Sequence, residues 1–87
     1  MEIIYSPKFA REYKKLPKRV KLKAEEHEKI FRDNPHDPRL STHKLHGKLK
    51  EFRSFSVGFK YRIIFEFGRG DATVYFHSVG NHDIYQG

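Results

Sequence analysis

The spacing of hydrophobic side chains changes along this chain, and each change marks an element. Glu2 to Tyr5 is short, apolar and β-branched, the composition of a strand. Ser6-Pro7 then reads as a helix start, because a serine oxygen caps an early backbone N–H and proline suits the first helical position. Phe9, Tyr13 and Leu16 follow at i, i+4 and i+7, which aligns them on one face and leaves Lys8, Arg11, Lys14 and Lys15 in water. Pro17 ends that helix and opens a second one reaching about Arg32, with Val20, Ala24, His27 and Phe31 in one stripe and Ile30 widening it. The prolines and turn formers of Asp33-Asn34-Pro35-His36-Asp37-Pro38 close the second helix and begin a surface loop.

From Glu51 onward the period becomes that of strands. Phe52 to Val57, Lys60 to Phe67 and Ala72 to Val79 are separated by a turn at Gly58 and by Gly68-Arg69-Gly70-Asp71, which predicts three consecutive antiparallel strands. In the middle one, Tyr61, Ile63, Phe65 and Phe67 point to one face and Arg62, Ile64 and Glu66 to the other. The expected fold is α+β in the order β-α-α-β-β-β, a helical hairpin packed on one face of a small, mainly antiparallel sheet with its other face open. His43 and His46 flank Leu45 in what reads as a polar loop ahead of these strands. No repeat, low-complexity tract or linker interrupts the pattern, so residues 1–87 read as a single domain.

Charge narrows the function. The chain carries 18 Lys and Arg against 11 Asp and Glu, a formal net charge of +7 that favours nucleic acid, ribosome or an acidic protein partner. It has no cysteine, which excludes disulfides, a thiol nucleophile and Cys-ligated zinc, and fits a reducing cytoplasm. No apolar run approaches the roughly 18 residues of a membrane helix, and the first residues lack the pattern of a secretion signal. Six histidines in so short a chain supply groups that exchange protons near neutral pH. They form neither an i, i+4 helical pair nor a compact Cys/His set, so neither a metal nor a small-molecule cofactor is expected. His27, His36 and His77 read as structural, and the Lys/Arg run of the hairpin as either a solvated face or a grip for RNA or an acidic protein.

Four stretches together resemble the RelE/ParE superfamily of toxins from bacterial and archaeal toxin-antitoxin modules. They are Ser6-Pro7-Lys8-Phe9 opening a helix that closes at Leu16-Pro17; His43-Lys44-Leu45-His46-Gly47; Tyr61-Arg62-Ile63-Ile64-Phe65; and Val79-Gly80-Asn81-His82-Asp83-Ile84-Tyr85. The resemblance implies a compact cytoplasmic toxin that cleaves mRNA, often on the ribosome, and is neutralised by a cognate antitoxin; some relatives poison DNA gyrase instead. It implies a catalytic arginine at Arg62, a catalytic arginine or histidine at His82 and an aromatic residue near Tyr85, and His43 resembles the YafQ-like branch. Where the RelE branch has paired lysines on the first strand after the loop, this chain has Arg53 followed by Ser54 and Phe55.

The chemistry of RNA cleavage matches these residue types. The 2′-hydroxyl attacks the adjacent phosphorus and the 5′-oxygen leaves, so the protein must supply a base, an acid and cations for the phosphorane charge. Arg62 can bind two phosphate oxygens with its planar fork, and the alternative is an ion pair with Glu66 on the same strand face. His82 is the candidate acid or base, against a turn histidine bonded to Asp83. Tyr85 can stack on a base or bond the phosphate, or merely tuck against the sheet. His43 or His46 can be a second proton carrier or an idle, solvated ring. Arg53 and Lys60 are candidate RNA contacts, and Arg53 also suits a rim arginine lying along apolar surface.

Overall fold

Ser6 fixes the first helix from both sides. In the computed structural model, which describes residues 1–70 and 72–81, its Oγ accepts from the Phe9 N–H at 2.9 Å and donates to the His77 carbonyl at 2.9 Å. The cap that starts the helix therefore also ties it to the last strand. The strand before it is β1, Glu2–Tyr5, and the helix is α1, Pro7–Lys14. Pro17 then separates α1 from α2, Lys18–Asp33. Four further strands follow: β2 at His43–Lys44, β3 at Arg53–Val57, β4 at Tyr61–Phe67 and β5 at Thr73–Gly80. They form a mixed sheet in the order β1-β5-β4-β3-β2, with β1 parallel to β5 and every other pair antiparallel. The α1–α2 pair carries the chain from β1 at one edge of the sheet to β2 at the other, and the antiparallel strands then return it to β5 beside β1.

The two helices cover one face, as the apolar stripes predict. Phe31 is fully buried, with its ring stacked on Phe55 at 4.9 Å and edge-on to Phe65 and Phe76 at 4.9 and 5.5 Å. Val20, Ala24, Ile63, Val74 and Val79 close the same core, and Tyr13, Leu16 and Ile30 pack against its edge. His27 joins helix to sheet, its Nδ1–H donating to the Ser56 carbonyl at 2.6 Å, as expected of a structural histidine. Between the helices Tyr5, Phe9 and Tyr13 wall a cleft of about 380 Å³ that Glu25 and Glu28 also line. The Tyr5 hydroxyl donates to the Glu28 carboxylate, and burial followed by that bond raises the phenol above its ordinary range.

Three features depart from the expected layout. The segment around His43 is not a free loop: His43 and Lys44 pair with Ser54 and Arg53, adding a fifth strand that satisfies the outer edge of β3. Leu40, in a 3₁₀ turn at Pro38–Leu40, is fully buried in the core. Asp37 holds that turn by accepting from the Arg39 backbone N–H at 2.9 Å and from its guanidinium at 2.8 and 3.0 Å, which lowers the carboxyl to about 2. Finally, Lys60 lies in the β3–β4 turn rather than in β4, because Val57 pairs with Tyr61 and leaves Gly58, Phe59 and Lys60 outside the ladder. Gly58 makes that turn with a φ of +63°, a region costly for any side chain.

Candidate active site

The register of β3, β4 and β5 builds the face turned away from the helices in cross-strand rows. Ser56, Arg62 and Gly80 occupy one row. Two residues along, His43, Ser54, Ile64 and Ser78 form the next. Between Ile64 and Phe65 the pairing jumps from Ser78 to Phe76, so His77 is the extra residue of a bulge. Beyond it Glu66, Tyr75 and Ile4 are neighbours across β4, β5 and β1. The middle of this face is not bare as expected, since Ser54 and Ile64 are buried, each centrally placed with cross-strand neighbours on both flanks.

Arg62 is half-buried here, and its Nη1 donates to the Tyr61 carbonyl at 2.9 Å. The alternative of a pair with Glu66 is not realised: Glu66 Oε1 accepts from His77 Nε2 at 2.8 Å. Among the described residues no carboxylate forms an ion pair with Arg62. His77 lies inside β5 and is structural, as expected, but its ring joins this face, edge-on to Phe52 at 4.9 Å and near Tyr75 at 6.4 Å. The bulge is the cause, because an extra residue re-aims the side chain it carries. The parity of β4 already placed Glu66 on this face, but no local pattern signals the bulge.

His43 stands on the same face as Arg62, on the edge strand β2. Its Nδ1 lies 3.0 Å from the Ser41 carbonyl and its Nε2 3.5 Å from Ser54 Oγ. Two strands and two residues of offset separate its Cα from that of Arg62 by on the order of 12 Å, which leaves room for a substrate between them. His46 is exposed just before a second 3₁₀ turn, Gly47–Leu49. Arg53 is not brought to Arg62: it shares the helix-side parity of Phe55, with its guanidinium 5.1 Å from the centre of the Phe67 ring. His82 and Tyr85 lie outside the described residues.

The end of β5 is secured from α1. Strand β1 stops at Tyr5, opposite Phe76, and beyond that point Glu12 takes its place, its Oε1 accepting from Ser78 Oγ at 2.7 Å and from the Val79 N–H at 3.1 Å. A cleft of about 480 Å³ opens beside this joint, lined by Lys8, Lys15, Tyr61, Gly80 and Asn81 among others. No described helix is long and apolar enough to cross a membrane.

Comparison with known proteins agrees with this architecture. YafQ from E. coli strain BL21(DE3) superposes with a TM-score of 0.79 at 23% identity, over 99% of this chain and 98% of that one. The YoeB/ParE toxin from Agrobacterium tumefaciens gives 0.80 at 12% identity, over 94% and 99%. The toxin-antitoxin complex RelBE2 from Mycobacterium tuberculosis gives 0.77 at 21% identity, over 93% and 96%. At these identities the likeness concerns the fold. No curated protein matches the chain in sequence. The model of the family described as ParE toxin of type II toxin-antitoxin system, parDE, matches residues 3–84. That match runs nearly end to end, through both helices, the whole sheet and the row that carries Arg62, and it places this chain in the RelE/ParE superfamily as a toxin of a type II toxin-antitoxin module.

Proposed function

We propose that this toxin is a metal-independent endoribonuclease that cleaves mRNA in association with the ribosome and so arrests translation and growth in the cytoplasm. One observation carries the reading: Arg62, which pairs with no carboxylate among the described residues, stands opposite Gly80, and His82 is only two residues further along the chain. Arg62 grips the scissile phosphate and offsets the charge that builds on it as the 2′-oxygen bonds to phosphorus. His82 protonates the departing 5′-oxygen, and His43 takes the proton from the 2′-hydroxyl, giving a 2′,3′-cyclic phosphate that water opens to a 3′-phosphate. The nucleophile comes from the RNA, so the reaction requires neither a metal nor a cofactor. Tyr85 stacks on a flanking base, and Lys60 and His46 contact the strand. Arg53, stacked over Phe67 on the other face, is left out of the reaction.

A cognate antitoxin fits the same face, covering its cation with acidic and apolar side chains. Solved complexes of this fold, DinJ-YafQ from E. coli and RelBE2, support such a partner. The second reading, a gyrase inhibitor without nuclease activity, is favoured by the ParE description of the matching family.

Incubation with RNA, with and without ribosomes and in EDTA, together with a gyrase supercoiling assay, separates the two readings. Cleavage in EDTA is the expected result; supercoiling inhibition without cleavage would replace it. Arg62→Ala and His82→Ala are expected to lower cleavage at least about 100-fold and to abolish growth arrest, with an unchanged circular dichroism spectrum. Full toxicity in both variants would end the proposal.

A further inference from the structure

The side chain least explained by packing is Phe59, 91% exposed at the tip of the β3–β4 turn. An aromatic side chain left in water forgoes the favourable burial of its apolar area, so a ring held out in this way invites a partner. Its surroundings define the partner's chemistry. A cleft of about 350 Å³ beside the ring is lined by Arg19, Lys23, Val57, Gly58, Lys60 and Tyr61, with Val20 at its base, and every ionised group in that lining is a cation. Arg19 and Lys23 are one helical turn apart on α2, and the stem of Lys23 lies against Gly58, its Cγ 3.7 Å from where a Cβ would stand. Lys23 does contact Glu26 at 3.6 Å, but both side chains are about half exposed or more and such a pair exchanges readily for another anion.

We infer that the Phe59 turn and the start of α2 form a docking corner for single-stranded RNA. Phe59 stacks on a base close to the scissile phosphate, while Arg19, Lys23 and Lys60 hold neighbouring phosphates. An exposed flat ring in a rim of cations suits a base and its phosphates better than a protein surface, whose anchor residues sit in an apolar cluster. Position supports the choice: Arg62 lies one row below the Val57–Tyr61 pair that closes the turn, so the ring is roughly 10 Å along the strand direction from the proposed phosphate site. The inference rests on the assignment of that site to RNA and adds to it a residue that stacks on a neighbouring base.

The test uses the full chain and a 2′-O-methyl RNA octamer, which lacks the attacking hydroxyl and stays intact, with binding followed by fluorescence anisotropy at several salt concentrations. Phe59→Ala is expected to weaken binding about tenfold and Phe59→Leu nearly as much, since leucine keeps apolar area but no stacking plane. Lys23→Gln and Lys60→Gln are each expected to reduce the salt slope by about 0.7. The Phe59 effect persists in Arg62→Ala. Absence of octamer binding, wild-type affinity in Phe59→Ala, or full retention in Phe59→Leu would overturn the docking corner. Phe59-dependent binding without cleavage of the unmodified octamer, on or off the ribosome, leaves the corner standing and removes the nuclease; cleavage indifferent to Phe59 does the reverse.

Discussion

The two faces of one sheet are put to opposite uses. Toward the helices, β3, β4 and β5 present Phe55, Ile63, Phe65, Val74 and Phe76, and Phe31 locks into them from α2. Away from the helices the same strands present Ser56, Arg62, Glu66, Tyr75 and His77, whose polar groups stay within reach of solvent. Strand alternation makes the division possible, because a period of two lets one stretch of chain serve a core and a site without compromise. The lesson is that stability and the proposed chemistry are separable here: most of the packing energy lies on one side, and Arg62 lies on the other.

Substitutions can break or sharpen that contrast. Phe31→Ala, on the packed side, is expected to cost about 4 kcal/mol, a large part of the stability of so small a domain, and to lower Tm by roughly 20 °C in a circular dichroism melt. A loss below about 1 kcal/mol would mean that the packed side is not where the stability resides. Glu66→Gln removes the carboxylate from His77 on the opposite side, where both side chains are about a third exposed, and is expected to cost under about 1 kcal/mol by urea titration. A cost like that of Phe31→Ala would erase the contrast from the other direction.

The smallest effect belongs to the loop that feeds Leu40 into the packed side. Asp37 has its carboxyl lowered to about 2, first by hydrogen bonds from Arg39, so its contribution to stability is present above the ordinary carboxylate range and is lost as pH falls through about 2. Carboxyl NMR shifts should follow that titration, and Arg39→Ala should return it toward 3.8. No movement on that substitution would show that the guanidinium is not the cause.

Much of this architecture was legible from residue order. Ser6-Pro7, the Phe9, Tyr13 and Leu16 spacing and the alternation of β4 are local signals, and each element they predict is present within a residue or two. What escaped was decided by distant partners. A two-residue strand has no pattern of its own, so β2 exists only because β3 has an edge to fill. Leu40 is one apolar residue in a polar loop, and only the assembled core shows where it goes. The bulge that brings His77 beside Glu66 depends on how β5 slips past β4, a property of the pair rather than of either strand. For the site, alternation was enough to put Arg62 on the face away from the helices, while the rival pairing with Glu66 was settled by His77.

The carboxylate of Glu12, standing in for a strand at the end of β5, makes α1 a handle. The first helix cannot be lifted from the sheet without unfastening the segment that leads from Ser78 through Gly80 toward the tail. The exposed side of α1 is therefore mechanically joined to Gly80, the residue that pairs with Arg62.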